Sequence, residues 1–318
     1  MSDTKRIAVI GATGAQGGGL VRAILSDPEG GFSVRGLSRT PDSTKSLNLE
    51  EAGAEMVEAD LDIMESLEDA FRGVHGVFAM TNYWEHFSPE RELMQASHIA
   101  EAAKLAGVKH LIWSTMEDTR MYSPLDDPGI PTLRDAYKVP AFDGKGEAMA
   151  AFDEHRVPAT YLMSSFHWEN FINFGMGPTK GPDGTLSITA PMGEKQLPGI
   201  AVEDIGRCAY GIFKGGSKYI GQGIGVAGER LTFAQMAYAF SRVLDVQVRY
   251  NDVTPEEYRA FPFPGADEMG NMFQFMRDFS DDFCAVRDIP IARGLNPQLQ
   301  TFAQWLDANL ENMHLKRA

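Results

Sequence analysis

The sequence predicts an α/β protein, a doubly wound parallel sheet followed by a smaller C-terminal α/β lobe. Three observations carry this expectation. From the start to about Met163, short apolar runs alternate with longer amphipathic ones, the order that yields parallel strands and covering helices. The first apolar run leads into a turn with glycine at positions 11, 14 and 17. After Met163 the alternation gives way to Gly/Pro-rich loops, "GMGPTKGPDGT" and "APMGEKQLPG", between isolated helices and short strands. The expected division is residues 1–163 and residues 164–318, with some C-terminal elements free to return to the first lobe.

Taken in order, the strands are expected at "RIAVIG", "FSVRGL", "AEMVEA", "GVFAM", "HLIWST" and "ATYLM", the short apolar runs of that alternation. Between them, helices are expected at 14–25, 43–52, 64–71, 89–106 and 142–155. The fourth has the fullest boundary signals: Ser88 to cap it, Pro89 in its first turn and Gly107 to close it. In the second lobe, helical spacing predicts 202–213, 232–244, 255–260, 266–279 and 301–310. The apolar stripe of the penultimate one, Met269, Met272, Phe273, Phe275, Met276 and Phe279, reads either as core or as an adaptable pocket wall.

Composition narrows the function. A formal net charge of −15 without a basic cluster argues against gripping a nucleic-acid backbone. No apolar run is long enough to span a bilayer, and the N-terminus shows no secretory leader, so a cytoplasmic protein is expected. Cys208 and Cys284 lack ligand spacing, which predicts buried thiols and no metal.

The glycine turn is the first functional signal. Between a strand and a helix, GxxGxxG lets the chain turn tightly at Gly11, approach a pyrophosphate at Gly14 and pack helix on strand at Gly17. Thr13, Ala15 and Gln16 complete the loop, whose exposed amides would receive phosphates. A Rossmann-type dinucleotide site follows. Its second strand ends in Ser38 and Arg39, where an NAD site places an acid, and a guanidinium there pairs with a 2′-phosphate. NADP(H) is therefore the expected cofactor, with Ser43 in the same loop a further candidate contact. Asp60 and Leu61 follow the third strand; Asp60 reads either as an adenine neighbour or as a helix cap, a role for which Asp62 competes.

The stretches "GATGAQGG", "TNYWE", "FDGKGE", "WENF" and "FPGADEMGNMFQF" together resemble the NmrA-like family of atypical short-chain dehydrogenase/reductases, and most nearly its HSCARG-type NADPH-sensor subgroup. The resemblance implies that Thr81, Asn82 and Tyr83 line the groove by the nicotinamide ribose and that Lys145 reaches its hydroxyls. It also implies that His167, Trp168, Glu169 and Asn170 border the nicotinamide. Tyr83 and Trp84 read equally well as aromatic loop packing.

Ordinary members of the superfamily carry a tyrosine four residues before the lysine, and here that position is Ala141. Replacement proton donors are Tyr83, Tyr122, Tyr137, Lys145 and His167, the last with an unperturbed pKa of about 6.5 suited to neutral pH. Ser114 or Thr115 could hydrogen-bond a carbonyl, or merely satisfy the end of the fifth strand. Two functions are compatible with this set. One is an NADPH-dependent reductase of a small carbonyl, enone, imine or quinone, using Lys145, His167 and Ser114. The other is a non-catalytic NADPH/NADP sensor acting on a regulatory protein partner. A monomer or homodimer suits either.

Overall fold

The computed structural model describes residues 4–181 and 183–313, so the outer limits of the two expected lobes, residues 1 and 318, lie outside it. The N-terminal half runs β1 (Lys5–Val9), α1 (Ala15–Leu25), β2 (Phe32–Ser38), α2 (Thr44–Glu51), β3 (Glu55–Glu58), α3 (Met64–Phe71) and β4 (Gly76–Ala79). A four-residue turn of helix, α4 (Tyr83–His86), precedes α5 (Pro89–Leu105), β5 (His110–Thr115), α6 (Pro140–Glu147), α7 (Met149–Glu154) and β6 (Ala159–Met163).

The second half is more finely divided. It contains β7 (Phe166–His167), α8 (Asn170–Asn173), β8 (Thr179–Lys180), β9 (Leu186–Ala190), β10 (Leu197–Ile200), α9 (Val202–Gly215), β11 (Gly223–Gly225) and β12 (Glu229–Leu231). Then follow α10 (Phe233–Leu244), β13 (Val248–Asp252), α11 (Pro255–Arg259), α12 (Ala266–Asp278), α13 (Ser280–Val286), α14 (Ile289–Leu295) and α15 (Phe302–Asn309).

Seven strands form one sheet in the order β11-β6-β5-β4-β1-β2-β3, every pair parallel. The order reverses between β1 and β4, and in open α/β sheets the crevice outside the strand ends at that point is where ligands bind. Strand pleating divides the core: Ile7 and Val9 face one helical layer with Leu20, Val21, Ile205 and Ile212, while Ala8 and Ile10 face the other with Leu67, Phe71, Ile99 and Phe152. A third, aromatic core built on Trp168, Phe171, Phe240, Phe273, Phe302 and Trp305 holds the second lobe. Its two small sheets run β12-β10-β7 and β13-β9-β8.

Elements beyond residue 163 join the central sheet and its helical layer. β11 extends the central sheet beside β6, and α9 lies across α1 where their backbones almost touch. An added Cβ on Gly206 would sit 2.2 Å from the Leu20 nitrogen. Ala292 and Leu295 of α14 then pack into the same core as α9.

The expected helix at 142–155 is two helices, and the first begins earlier. Asp143 fixes that start by accepting from the Lys138 and Val139 amides at 2.8 and 3.0 Å, so that Pro140 opens the helix. The same carboxylate takes the Thr119 amide and hydroxyl at 2.7 and 2.6 Å. Ser88 caps α5 through the Arg91 amide, and Gly107 closes it with φ +66°. Cys208 and Cys284 are both buried, and burial pushes the Cys284 thiol up.

Candidate functional site

A cavity of about 670 Å³ opens along the carboxyl ends of the central strands and continues under α12. Its floor at one end is the glycine turn. Gly11 adopts φ +68°, a left-handed backbone that side chains resist. A Cβ on Gly17 would come within 2.3 Å of the Gly11 oxygen, so only glycine lets α1 start this close to β1. No side chain caps α1, and Gly11, Thr13, Gly14, Ala15 and Gln16 line the cavity where its first amides lie. Uncapped amides at a helix start, facing a cavity, suit an anionic group such as a pyrophosphate.

Ser38, Arg39 and Thr40 form the rim beyond β2. Arg39 is half-exposed and pairs with Glu85 of α4, Nη2 to Oε1 at 2.7 Å. Asp60 and Leu61 line the adjoining wall with Arg91 and Gln95, two α5 residues that the sequence reading did not single out. Neither Asp60 nor Asp62 caps α3, whose N-cap is Ile63. Asp60 instead accepts from the Asp62 amide at 3.0 Å. Asp62 pairs with Arg91 and accepts from Gln95 at 2.7 Å. The Arg91 hydrogen bond holds the Asp62 carboxyl below its ordinary range.

Deeper in, Thr81, Asn82, Tyr83, Ala141 and Lys145 meet across the cavity. The Lys145 ammonium is engaged inside the protein: it donates to the Thr81 carbonyl at 2.9 Å and the Thr81 hydroxyl at 2.8 Å, and it forms an ion pair with Glu92 Oε2 at 2.9 Å. Thr81 in turn donates to Glu92 Oε2 at 2.7 Å. Glu92 is wholly buried, and its other oxygen lies 3.7 Å from His86 Nε2, both atoms without a hydrogen-bond partner.

None of the candidate acids stands free in this site. The Tyr83 hydroxyl donates to Glu268 Oε2 at 2.6 Å, and burial together with that carboxylate pushes the phenol upward. Tyr122 and Tyr137 do not line the cavity; Tyr122 packs on Phe275 and Phe279 of the second lobe. Ser114 donates to Gln16 Oε1 at 2.9 Å, and Thr115 donates to the Lys145 carbonyl at 2.9 Å. His167 reaches the cavity with Nε2 3.3 Å from the Ser164 hydroxyl. Burial, reinforced by Lys145, lowers it to about 4, so the ring is neutral near pH 7 and is not the poised imidazolium that its reference pKa suggested.

Three expected cofactor contacts lie elsewhere. Trp168 is fully buried on the other side of β7, its ring 5.4 Å from Phe302 and 6.1 Å from Trp305. Ser43 caps α2 through the Ser46 amide, and Gly17 serves the packing of α1 without facing the cavity. Glu169 and Asn170 do line it. Glu169 accepts from the Val202 amide at 2.9 Å and Trp305 Nε1 at 3.0 Å, and burial raises its carboxyl.

Past His167 the lining becomes apolar: Met116, Phe142, Phe166, Met269, Met272, Met276 and Phe283. The α12 stripe is thus both core and wall. Among the described residues no helix is long and apolar enough to cross a membrane.

Comparison with known proteins adds to this geometry. A model of the NmrA-like family matches residues 3–288. The chain is 30% identical over 289 residues to the NmrA-like family domain-containing oxidoreductase FrzB of Cladobotryum sp, covering 85% of this chain and 83% of that one. Among solved structures, the negative transcriptional regulator NmrA in complex with NADP superposes with a TM-score of 0.78 at 23% identity, covering 99% of both chains. The Citrobacter sp. triphenylmethane reductase complexed with NADP(H) gives 0.75 at 19% identity, covering 95% of this chain and 99% of its own.

Proposed function

The chain belongs to the NmrA-like family, and we propose that it is an NADP(H)-binding reductase acting on a small carbonyl, enone, imine or quinone-type acceptor. One observation carries this reading: the helix-start amides of α1 and the Met/Phe wall under α12 belong to a single continuous cavity. An anion site joined to a chamber with a Met/Phe wall is what a phosphate-bearing cofactor and an apolar acceptor need in common. Bound there, the nicotinamide would supply hydride.

The residues fit that cofactor. Gly14, Ala15 and Gln16 would hold the pyrophosphate, Arg39 the 2′-phosphate, and Asp60 and Leu61 the adenine end. Thr81, Asn82, Tyr83 and His167 would flank the nicotinamide ribose and ring. FrzB carries the word oxidoreductase in its name and two structural relatives are NADP complexes, which supports the reading.

The chain's own acids constrain the chemistry. With Lys145, Tyr83 and Ser114 engaged and His167 neutral, the side chains position the acceptor while the proton that completes reduction of a C=O or C=N group comes from water. Ser164 and His167 are the polar pair beside the apolar wall and would orient the acceptor atom.

The test combines NADPH calorimetry with a substrate panel. Heat of binding together with acceptor-dependent NADPH oxidation is expected. Binding without turnover on any carbonyl, imine or quinone would replace the reductase by a second reading, a sensor of the NADPH/NADP ratio. Ala141 in place of the usual tyrosine favours that alternative. It requires apo and NADPH-bound forms to differ in protease sensitivity or association, since a ligand shifts conformations only by its differential affinity.

A further inference from the structure

Arg39 and Glu85 both line the cavity, one after β2 and the other on α4, and their half-exposed side chains meet at 2.7 Å. The other acids nearby are committed elsewhere: Asp62 to Arg91 and Gln95, and Asp60 to the Asp62 amide. Glu85 is therefore the carboxylate that competes for Arg39. A 2′-phosphate arriving at Arg39 must either displace Glu85 or share the guanidinium with it, and the two anions repel at that distance. A ribose with a free 2′-hydroxyl carries no such charge and leaves the pair intact.

Resting on the NADP(H) reading of Arg39, we propose that Glu85 is a specificity-determining residue, which holds back the preference for NADPH over NADH by occupying the guanidinium that would select the phosphate. Arg39 supplies the selectivity and Glu85 limits it. Both side chains are half-exposed, 59% and 46%, so the competition is screened and its size is moderate. Glu85 stands on α4 after β4, not at the end of β2 where an NAD site puts its own acid, and reaches that region only through its contact with Arg39.

The test is calorimetry at low salt with NADPH, NADH, adenosine 2′,5′-bisphosphate and AMP on four proteins: wild type, Glu85→Gln, Arg39→Ala and the double variant. Glu85→Gln should tighten NADPH and the bisphosphate about two- to fivefold and change NADH and AMP by less than that, within about 1.5-fold, with the gain shrinking as salt is raised. In the double variant the gain should vanish, because no guanidinium is left to compete for. Equal changes for phosphorylated and unphosphorylated ligands, or a loss with Glu85→Gln, would overturn the assignment of Glu85 alone. Absence of heat from every ligand on the wild type would instead remove the cofactor reading beneath it. Near-ultraviolet circular dichroism confirms that the surface substitution leaves the fold unchanged.

Discussion

Replacing Lys145 by methionine separates an internal strut from a catalytic group. The change removes the ammonium but keeps much of the stem. It leaves the Glu92 carboxylate, whose side chain has no exposed surface, beside Thr81 without a cation. Stripping one partner from a buried ion pair costs roughly 3–5 kcal/mol. Unfolding entropy of about 2.1 cal/mol/K per residue over 318 residues makes each kcal/mol worth about 1.5 °C of midpoint. Lys145→Met should therefore lower Tm by about 4–8 °C. Adding Glu92→Gln removes the stranded charge, and the double variant should regain at least about half of the loss. Scanning calorimetry on wild type, both single variants and the pair closes the cycle. The reasoning fails if Lys145→Met melts with the wild type, or if the pair shows no coupling, while NADPH affinity collapses; the ammonium would then act on the cofactor directly.

Three further outcomes are expected. Arg39→Ala should weaken NADPH roughly 10- to 100-fold, the worth of one charge-assisted hydrogen bond, and leave NADH within about twofold, read by fluorescence titration. Gly206→Ala drives a methyl into the Gly19–Leu20 backbone, so overpacking of about 1–3 kcal/mol should lower the urea midpoint and loosen NADPH together; an unchanged midpoint would show that α1 and α9 separate freely. His110 is buried against Thr160 and lowered to about 4 by desolvation, so the unfolded chain takes its proton first. Its contribution is whole above pH 6.5 and drains away toward pH 4, by up to about 1.4 kcal/mol per pH unit, and in His110→Gln the urea midpoint should fall less steeply over that window.

The alternation of apolar runs made the first six strands and their order legible, because pleated strands and covering helices write their periods directly into the chain. The glycine turn was legible for the same local reason. Trp168 was not placed by local spacing: Phe166 and His167 just before it both line the cavity, whereas its own ring is fully buried against Phe302 and Trp305. The Lys145–Glu92 pair was not legible at all. Its members lie on different helices, 53 residues apart, and nothing in either neighbourhood marks a partner. His167 shows the same limit from another side, since spacing places it at the cleft but only burial sets its charge.

The crossing of α9 over α1 also orders events in time. A ribosome exports the glycine turn about 190 residues before the helix that presses α1 into place, which emerges only after residue 202. At ordinary elongation rates that interval is about 10–40 s. Throughout it the nascent chain carries the glycine turn and α1 without α9 across them, and once β6 has emerged its edge stays unpaired until β11 follows. The final seating of the glycine turn is thus conferred late, by the half of the polypeptide that contributes least to the turn itself.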